Sequence, residues 1–349
     1  MNFRNWAVVS FNDDTGLGRQ ALDMYEYLKL RYFLVVTSEK LSTKPLNSKN
    51  HRLLDPKCDL NELSELLNGI EGLLVLERPH WHANLLSIGN AKGIKIVAIP
   101  NWEWFNGNDP LWKKCDLFLC TSSFTKKIVL NYGFNNSKYI GTHPVNLETL
   151  PERVITGCAK TFFHNAGLID EDDRKSTQET IEAFQKVKNQ SIRLIVRAQK
   201  EELFPEIYED RRIEVRFGNL KSPRNLYCEG DVAIQPSKME GNGFSIIEAK
   251  ASGIPVITLD YPPMNEVIDD RRLLVKKKWF KRNCLPKNWI KHAHMRLPNI
   301  NDITRKIKWA SQNDMSEISN SNRAWAEKFF DPNYVQNKWG KVIDSFFNE

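Results

Sequence analysis

The stretch 235–266, QPSKMEGNGFSIIEAKASGIPVITLDYPPMNE, constrains the fold more than any other part of the chain. Two carboxylates, Glu240 and Glu248, stand with seven residues between them. A glycine-rich turn (Gly241, Asn242, Gly243) follows the first, and an apolar run from Phe244 predicts a helix closing at Gly253. That places Glu240 in a loop and Glu248 on a helix. PVITLD then reads as a short β-branched strand of the kind buried in parallel sheets. A strand, glycine turn, helix and strand make a ligand-holding unit, because the first amides of the helix lack internal partners and point at whatever fills the turn.

The residues Pro236, Ser237, Glu240, Gly241, Gly243, Glu248, Ala249, Ala251, Gly253, Pro255 and Val256 match a frame that resembles the E-x7-E signature of the retaining, family-4 glycosyltransferases of the GT-B fold. A two-carboxylate glycosidase competes with this reading. If the intervening residues were all helical, the pair would lie roughly 12 Å apart along the axis, farther than retaining hydrolysis needs.

Length and composition fit a soluble two-domain chain: 349 residues, 41% hydrophobic and 27% charged. The six cysteines form no C-x-x-C pair and have no partnering histidine spacing, so we expect reduced structural thiols and no metal. No stretch approaches the eighteen or more apolar residues of a membrane span, and the opening apolar run is too short for a signal peptide. A cytoplasmic protein is expected, peripheral at the inner membrane face if its basic surface meets lipid. The net charge of +7 is modest and matters through its placement.

The chain opens with a strand over 6–11, the segment NDDTGLGRQ, and an amphipathic helix carrying Leu17, Ala21, Leu22, Tyr25 and Leu28. Gly16, Gly18 and Ala21 spell G-x-G-x-x-A, which together with Glu39 gives a dinucleotide-binding alternative, an NAD-dependent enzyme. The long approach from the strand and the repulsion of a pyrophosphate by Asp13 and Asp14 weigh against it. Strands GLLVLE, IKIVAI and DLFLC then alternate with helices over about 81–91 and 123–132, predicting a parallel α/β domain whose ligands gather at the carboxyl ends of the strands. Those ends carry Glu77, Arg78, His80 and His82, the aromatic loop with Asn101, Trp102, Glu103 and Trp104, and the pair Ser122 and Ser123. Trp102 and Trp104 suit stacking on a sugar or base.

The resemblance covers most of the chain, densely only over about 163–266. It implies an interdomain crossing at HPVN (143–146), and hence a first Rossmann-like domain over 1–150, a nucleotide-sugar-binding one over 151–330, a cleft between them, and a return helix over 331–349 packing on the first domain. It also implies that Gly16 and Gly18 face donor phosphate, that Arg174 and Lys175 grip the donor diphosphate, and that Gly218 and Asn219 border the base. Where family members have an arginine after the glycine of the strand TFFHNAG, this chain has Leu168 after Gly167, and Arg197 is the candidate to restore that cation. Pro100 and Asn101 likewise stand where many members have a histidine, leaving His80 or His82 as substitutes in an acceptor site with Trp102, Glu103 and Trp104.

The implied activity is metal-independent transfer of a sugar from a nucleotide-diphosphate donor, with retention, to a saccharide or glycolipid hydroxyl. No cofactor beyond that co-substrate is implied. In it Glu240, with the amides of Gly241, Asn242, Gly243, Phe244 and Ser245 beside it, holds the donor sugar, Glu248 holds the ribose, and Lys175 with Arg197 stabilises the leaving diphosphate. Transfer to modified DNA and noncatalytic binding of a nucleotide sugar or carbohydrate are the alternatives. The stretch 271–296 carries ten Lys or Arg and no Asp or Glu, interleaved with Trp279, Phe280 and Trp289, a composition suited to an anionic membrane or to nucleic acid.

Overall fold

The computed structural model describes residues 3–38, 50–169, 171–201, 210–279 and 293–348. The chain divides into two compact units: residues 1–146 with 329–349, and residues 147–328.

The first unit is built on a seven-stranded parallel sheet in the order β3-β2-β1-β4-β5-β6-β7. Its strands are β1 (Trp6–Ser10), β2 (Tyr32–Val36), β3 (His51–Leu54), β4 (Gly72–Glu77), β5 (Lys95–Pro100), β6 (Leu117–Cys120) and β7 (Ser137–Tyr139). Most of these strands are apolar throughout and buried on both faces, as a sheet covered on both sides requires. The connecting helices are α1 (Gly16–Tyr27), α2 (Leu60–Leu66), α3 (Leu85–Ala91) and α4 (Ser123–Asn131). Expected over 81–91, α3 begins only at Leu85. Trp81 instead turns its indole N–H back onto the Leu76 carbonyl at 3.2 Å, holding the chain in a turn.

The second unit repeats the plan with six parallel strands in the order β10-β9-β8-β11-β12-β13. These are β8 (Thr161–Gly167), β9 (Arg193–Ala198), β10 (Ile213–Phe217), β11 (Val232–Gln235), β12 (Val256–Leu259) and β13 (Leu274–Val275). Its helices are α5 (Thr177–Gln185), α6 (Phe244–Ala251), α7 (Ile300–Ala310) and α8 (Ser316–Phe329). The expected helix after Gly243 is α6; it buries Ile246 and Ile247, each contributing roughly 1.5–3 kcal/mol by leaving water. The final helix, α9 (Pro332–Asn348), belongs to the first unit, where it packs on α1 and buries Trp339 and Ile343.

In each sheet the chain order reverses once, beside β1 in the first and beside β8 in the second. Ligands of open parallel sheets bind where such a reversal leaves a crevice at the carboxyl ends of the strands. The β8–β11 crevice therefore receives the loops carrying Arg174, Lys175 and Glu240, and the β1–β4 crevice receives those carrying Asp13 and Glu77.

Candidate active site

At the β8–β11 edge two loops are tied together. The amide of Lys238 donates to the Arg174 carbonyl at 2.8 Å, and Arg174 Nη1 donates to the Met239 carbonyl at 2.9 Å. Arg174 Nη1 and Lys175 Nζ then close on the two oxygens of Glu240, at 2.7 and 2.5 Å. Only 6% of Glu240 is exposed. Burial alone would raise its pKa, but the charges of Arg174 and Lys175, with hydrogen bonds from Lys175 and Ser237, outweigh it and bring the value down to about 2.

The loop bearing the two cations is strained. Asp173 and Ser176 both take positive φ, at 41° and 60°, although neither is glycine. Several contacts hold the loop in this shape. Asp173 accepts from the amides of Thr177 and Gln178, capping α5, and buried His164 bridges the Ile234 carbonyl and the Thr177 hydroxyl. Burial lowers the His164 pKa to about 4, so the ring is a neutral strut at neutral pH.

Beyond Glu240, Gly241 and Asn242 are buried, and Gly243 forms the left-handed N-cap of α6 at φ 69°. No side chain caps that helix, and the buried Ser245 hydroxyl in its first turn has no partner among the described residues. The α6 amides beside Phe244 and Ser245 thus offer donors to an anion. Gly218 closes β10 at φ 86° with Asn219 exposed after it, leaving both at the same edge of the sheet.

Glu248 is fully buried on α6. Its oxygens accept from Arg224 Nε at 2.9 Å and the Tyr227 hydroxyl at 2.6 Å. Sequence reasoning missed Arg224 and Tyr227: they lie in a short 3-10 stretch, Pro223–Cys228, with no periodic signal, and only the fold brings them to Glu248. The expectation for Arg197 is corrected. Its side chain pairs with Glu229, which also engages Arg216, so the cations at Glu240 are Arg174 and Lys175.

In the first unit the dinucleotide reading of the Gly16 loop is also corrected. The Asp13 carboxylate accepts from the Thr15 amide and hydroxyl, and its Oδ1 sits so close to Gly18 that a Cβ there would meet it at 2.3 Å. Gly18 is thus glycine to admit a carboxylate, which fills the turn a pyrophosphate needs, while Gly16 is exposed. Glu39, the acidic partner in that reading, lies outside the described residues.

Of the acceptor candidates, His82 is a structural residue. It is buried, with Nε2 at 3.1 Å from the Cys58 carbonyl and Nδ1 accepting from the Asn84 amide. Trp102 is buried edge-on against Phe124, which corrects its assignment as a stacking surface, and Glu103 is buried beside it. His80 is exposed and pairs with Asp109 at 2.6 Å. Trp104 is half-buried, with the Arg78 guanidinium 5.7 Å from its ring.

Residues 160–282 match the family described as Glycosyl transferases group 1. No sequence match to a curated protein was found. Among solved structures, the chain is similar to Anabaena HepE in complex with UDP and glucose, at 12% identity over 97% of this chain and 99% of that one, with a TM-score of 0.67. It is similar also to a glycosyltransferase from Rickettsia africae (14% identity, 99% of each chain, TM-score 0.65). A third similar structure is the lipopolysaccharide outer core galactosyltransferase WaaB (12% identity, 97% of this chain and 99% of that one, TM-score 0.64). The two parallel sheets and their helices are thus a GT-B fold. Residues 160–282, which carry the Arg174, Lys175 and Glu240 cluster, hold that family's pattern.

Proposed function

We propose that the chain transfers a sugar from a nucleotide-diphosphate donor, with retention and without a metal, to a hydroxyl of a saccharide or glycolipid. The observation that carries this reading is the pairing of Arg174 and Lys175 on Glu240 at the end of an uncapped α6. As the C1–O bond to the diphosphate breaks, negative charge grows on the leaving oxygens. Two cations and the α6 amides are fixed beforehand to receive it, the charge stabilisation a metal would otherwise supply. Glu240 takes the donor-sugar hydroxyls, and Arg224, oriented by Glu248, stands beside the nucleotide. The bound UDP and glucose of HepE, and the lipopolysaccharide substrate in the name of WaaB, favour a uridine donor and a saccharide acceptor.

Incubation with UDP-, GDP- and ADP-sugars and with NAD tests the reading: thermal stabilisation and nucleotide release with a UDP-sugar are expected, and stabilisation by NAD alone would overturn it. Lys175→Ala should lower the transfer rate about a hundredfold, as loss of a leaving-group stabiliser does, while Arg197→Ala leaves it nearly unchanged. A larger loss in Arg197→Ala would reverse that assignment.

The basic stretch is the proposed contact with an anionic surface. In its described part, Lys276 and Lys277 are exposed and Trp279 is 89% exposed. The backbone beneath them is pinned, by the Lys276 amide to Asp302 and the Lys278 amide to the Leu297 carbonyl. Phe280, Lys281, Arg282 and Trp289 lie outside the described residues. Replacing Lys276, Lys277 and Lys278 by Gln should weaken binding to anionic liposomes and flatten its salt dependence without changing donor affinity. Salt-insensitive, unchanged binding would make the stretch an ordinary solvated loop, and a change confined to duplex DNA would favour the nucleic-acid alternative.

A further inference from the structure

The first sheet has, at its own β1–β4 crevice, a carboxylate that no part of the donor chemistry uses. Glu77 ends β4 with φ at 64°, one of four positive-φ residues other than glycine in the described chain. Another of the four, Lys29, follows the C-cap of α1, where such a conformation is ordinary, and the other two flank the cation pair of the second unit. A β-region glutamate would extend the strand; the left-handed turn ends it and redirects the side chain, a cost the surroundings must sustain.

Those surroundings are specific. The Asn101 side chain and the Trp104 side chain hydrogen-bond to the Glu77 carboxyl, and Arg78 is the charge that faces it. Asn101 and Trp104 belong to the loop after β5, whose Pro100 is registered on Glu77. On the β1 side, Val9 is registered on Val75, so β1 and β4 end together. There the buried Ser10 hydroxyl and Asp13 Oδ2 have no partner among the described residues. Asp13, Asp14 and Glu103 are further acidic groups in the loops at this edge. Glu77 keeps part of its surface open.

We propose that Glu77 grips a hydroxyl of the acceptor sugar, with Asn101 and Trp104 aiming the carboxylate and Ser10 and Asp13 available to a second hydroxyl. This rests on the glycosyl-transfer reading and names the acceptor's anchoring group. The hydroxyl donates its hydrogen to Glu77 and turns its lone pair outward, the orientation an attacking oxygen needs. Burial raises the Glu77 pKa above the ordinary carboxylate range, more than Arg78, Asn101 and Trp104 lower it. The group is therefore protonated, and its grip lost, at a higher pH than for an exposed glutamate.

The test uses the full chain with its glutamate carboxyls labelled with carbon-13, and glucose, galactose, N-acetylglucosamine and glycerol as probes. The resonance missing from Glu77→Gln is that of Glu77. It should move saturably with at least one sugar in the absence of nucleotide, and Glu77→Gln should weaken that sugar about tenfold while leaving UDP affinity unchanged. Glu77→Gly relieves the left-handed backbone; it should melt no lower than the parent yet lose sugar binding. A Glu77 resonance that none of the four moves, or a Glu77→Gly variant that melts lower and still binds sugar, overturns the proposal. Failure of UDP to bind would overturn the donor reading instead, since the sugar titration contains no nucleotide.

Discussion

Glu240→Gln is expected to lower turnover at least a hundredfold while UDP binds as tightly as before, or more tightly. The amide has nearly the shape of the carboxylate but removes the charge that pairs with Arg174 at 2.7 Å and Lys175 at 2.5 Å. Both cations then present their full charge to a diphosphate, so nucleotide affinity does not fall. On the proposed reading, what is lost is the charged acceptor for the donor-sugar hydroxyls; hydrogen bonds to a charged group are worth about 1.5–3 kcal/mol each, so two of them amount to about a hundredfold or more in rate. Calorimetry with UDP beside turnover with a UDP-sugar checks both halves. Near-normal turnover would remove Glu240 from the site, and weakened UDP would mean that its work is to hold the cations in place. With the folded pKa at about 2 against an ordinary 4.5, the ion pairs stabilise the fold fully above pH 4.5. That stabilisation is lost as pH falls from there through about 2.

Glu248→Ala is expected to destabilise the fold more than it harms the nucleotide's ribose contacts. Glu248 is fully buried, and its removal strands the Arg224 guanidinium and the Tyr227 hydroxyl without the carboxylate they share. Breaking a buried ion pair from one side costs about 3–5 kcal/mol, because an uncompensated charge stays behind. Chemical denaturation should show a loss of that size. Replacing Arg224 by Met in the same background should recover much of it, since no charge is then left buried. A variant as stable as the parent, with weaker nucleotide binding, would return Glu248 to the direct ribose contact that the resemblance implied.

The 235–266 stretch was legible because each of its turns has a local cause: Gly243 starts α6, the apolar run fills it, and β-branched residues make β12. Arg174 and Lys175 were found by resemblance, since two adjacent basic residues carry no signal of their own. Arg197 was misjudged for a physical reason. It stands at a strand end as expected, but its side chain meets Glu229, a partner 32 residues away that no local pattern announces. Arg224 and Tyr227 escaped for the same reason, their role existing only through Glu248. Trp102 was read as a stacking surface and His82 as a substitute for the family's histidine because a loop position alone does not tell an exposed side chain from a packed one. The backbone of Glu77 could not be read at all, since positive φ is signalled by glycine and this position has none.

The carboxylate lodged against Gly18 occupies the turn after β1, where the corresponding crevice of the second unit holds two cations. Both units have parallel sheets with a turn and a helix at the point where chain order reverses, and such turns attract phosphate by default. In the first unit Asp13 puts a carboxylate in that turn, whereas the second unit carries Arg174 and Lys175 there, paired with Glu240. On the proposed reading, a nucleotide diphosphate, whether arriving with its sugar or left behind after transfer, is therefore expected at the second of these crevices. On the proposed transfer the other is left to a neutral polyol, and spent nucleotide would compete with the next donor rather than with the next acceptor. Inhibition by UDP should accordingly be competitive toward the sugar donor and noncompetitive toward the alcohol that receives the sugar.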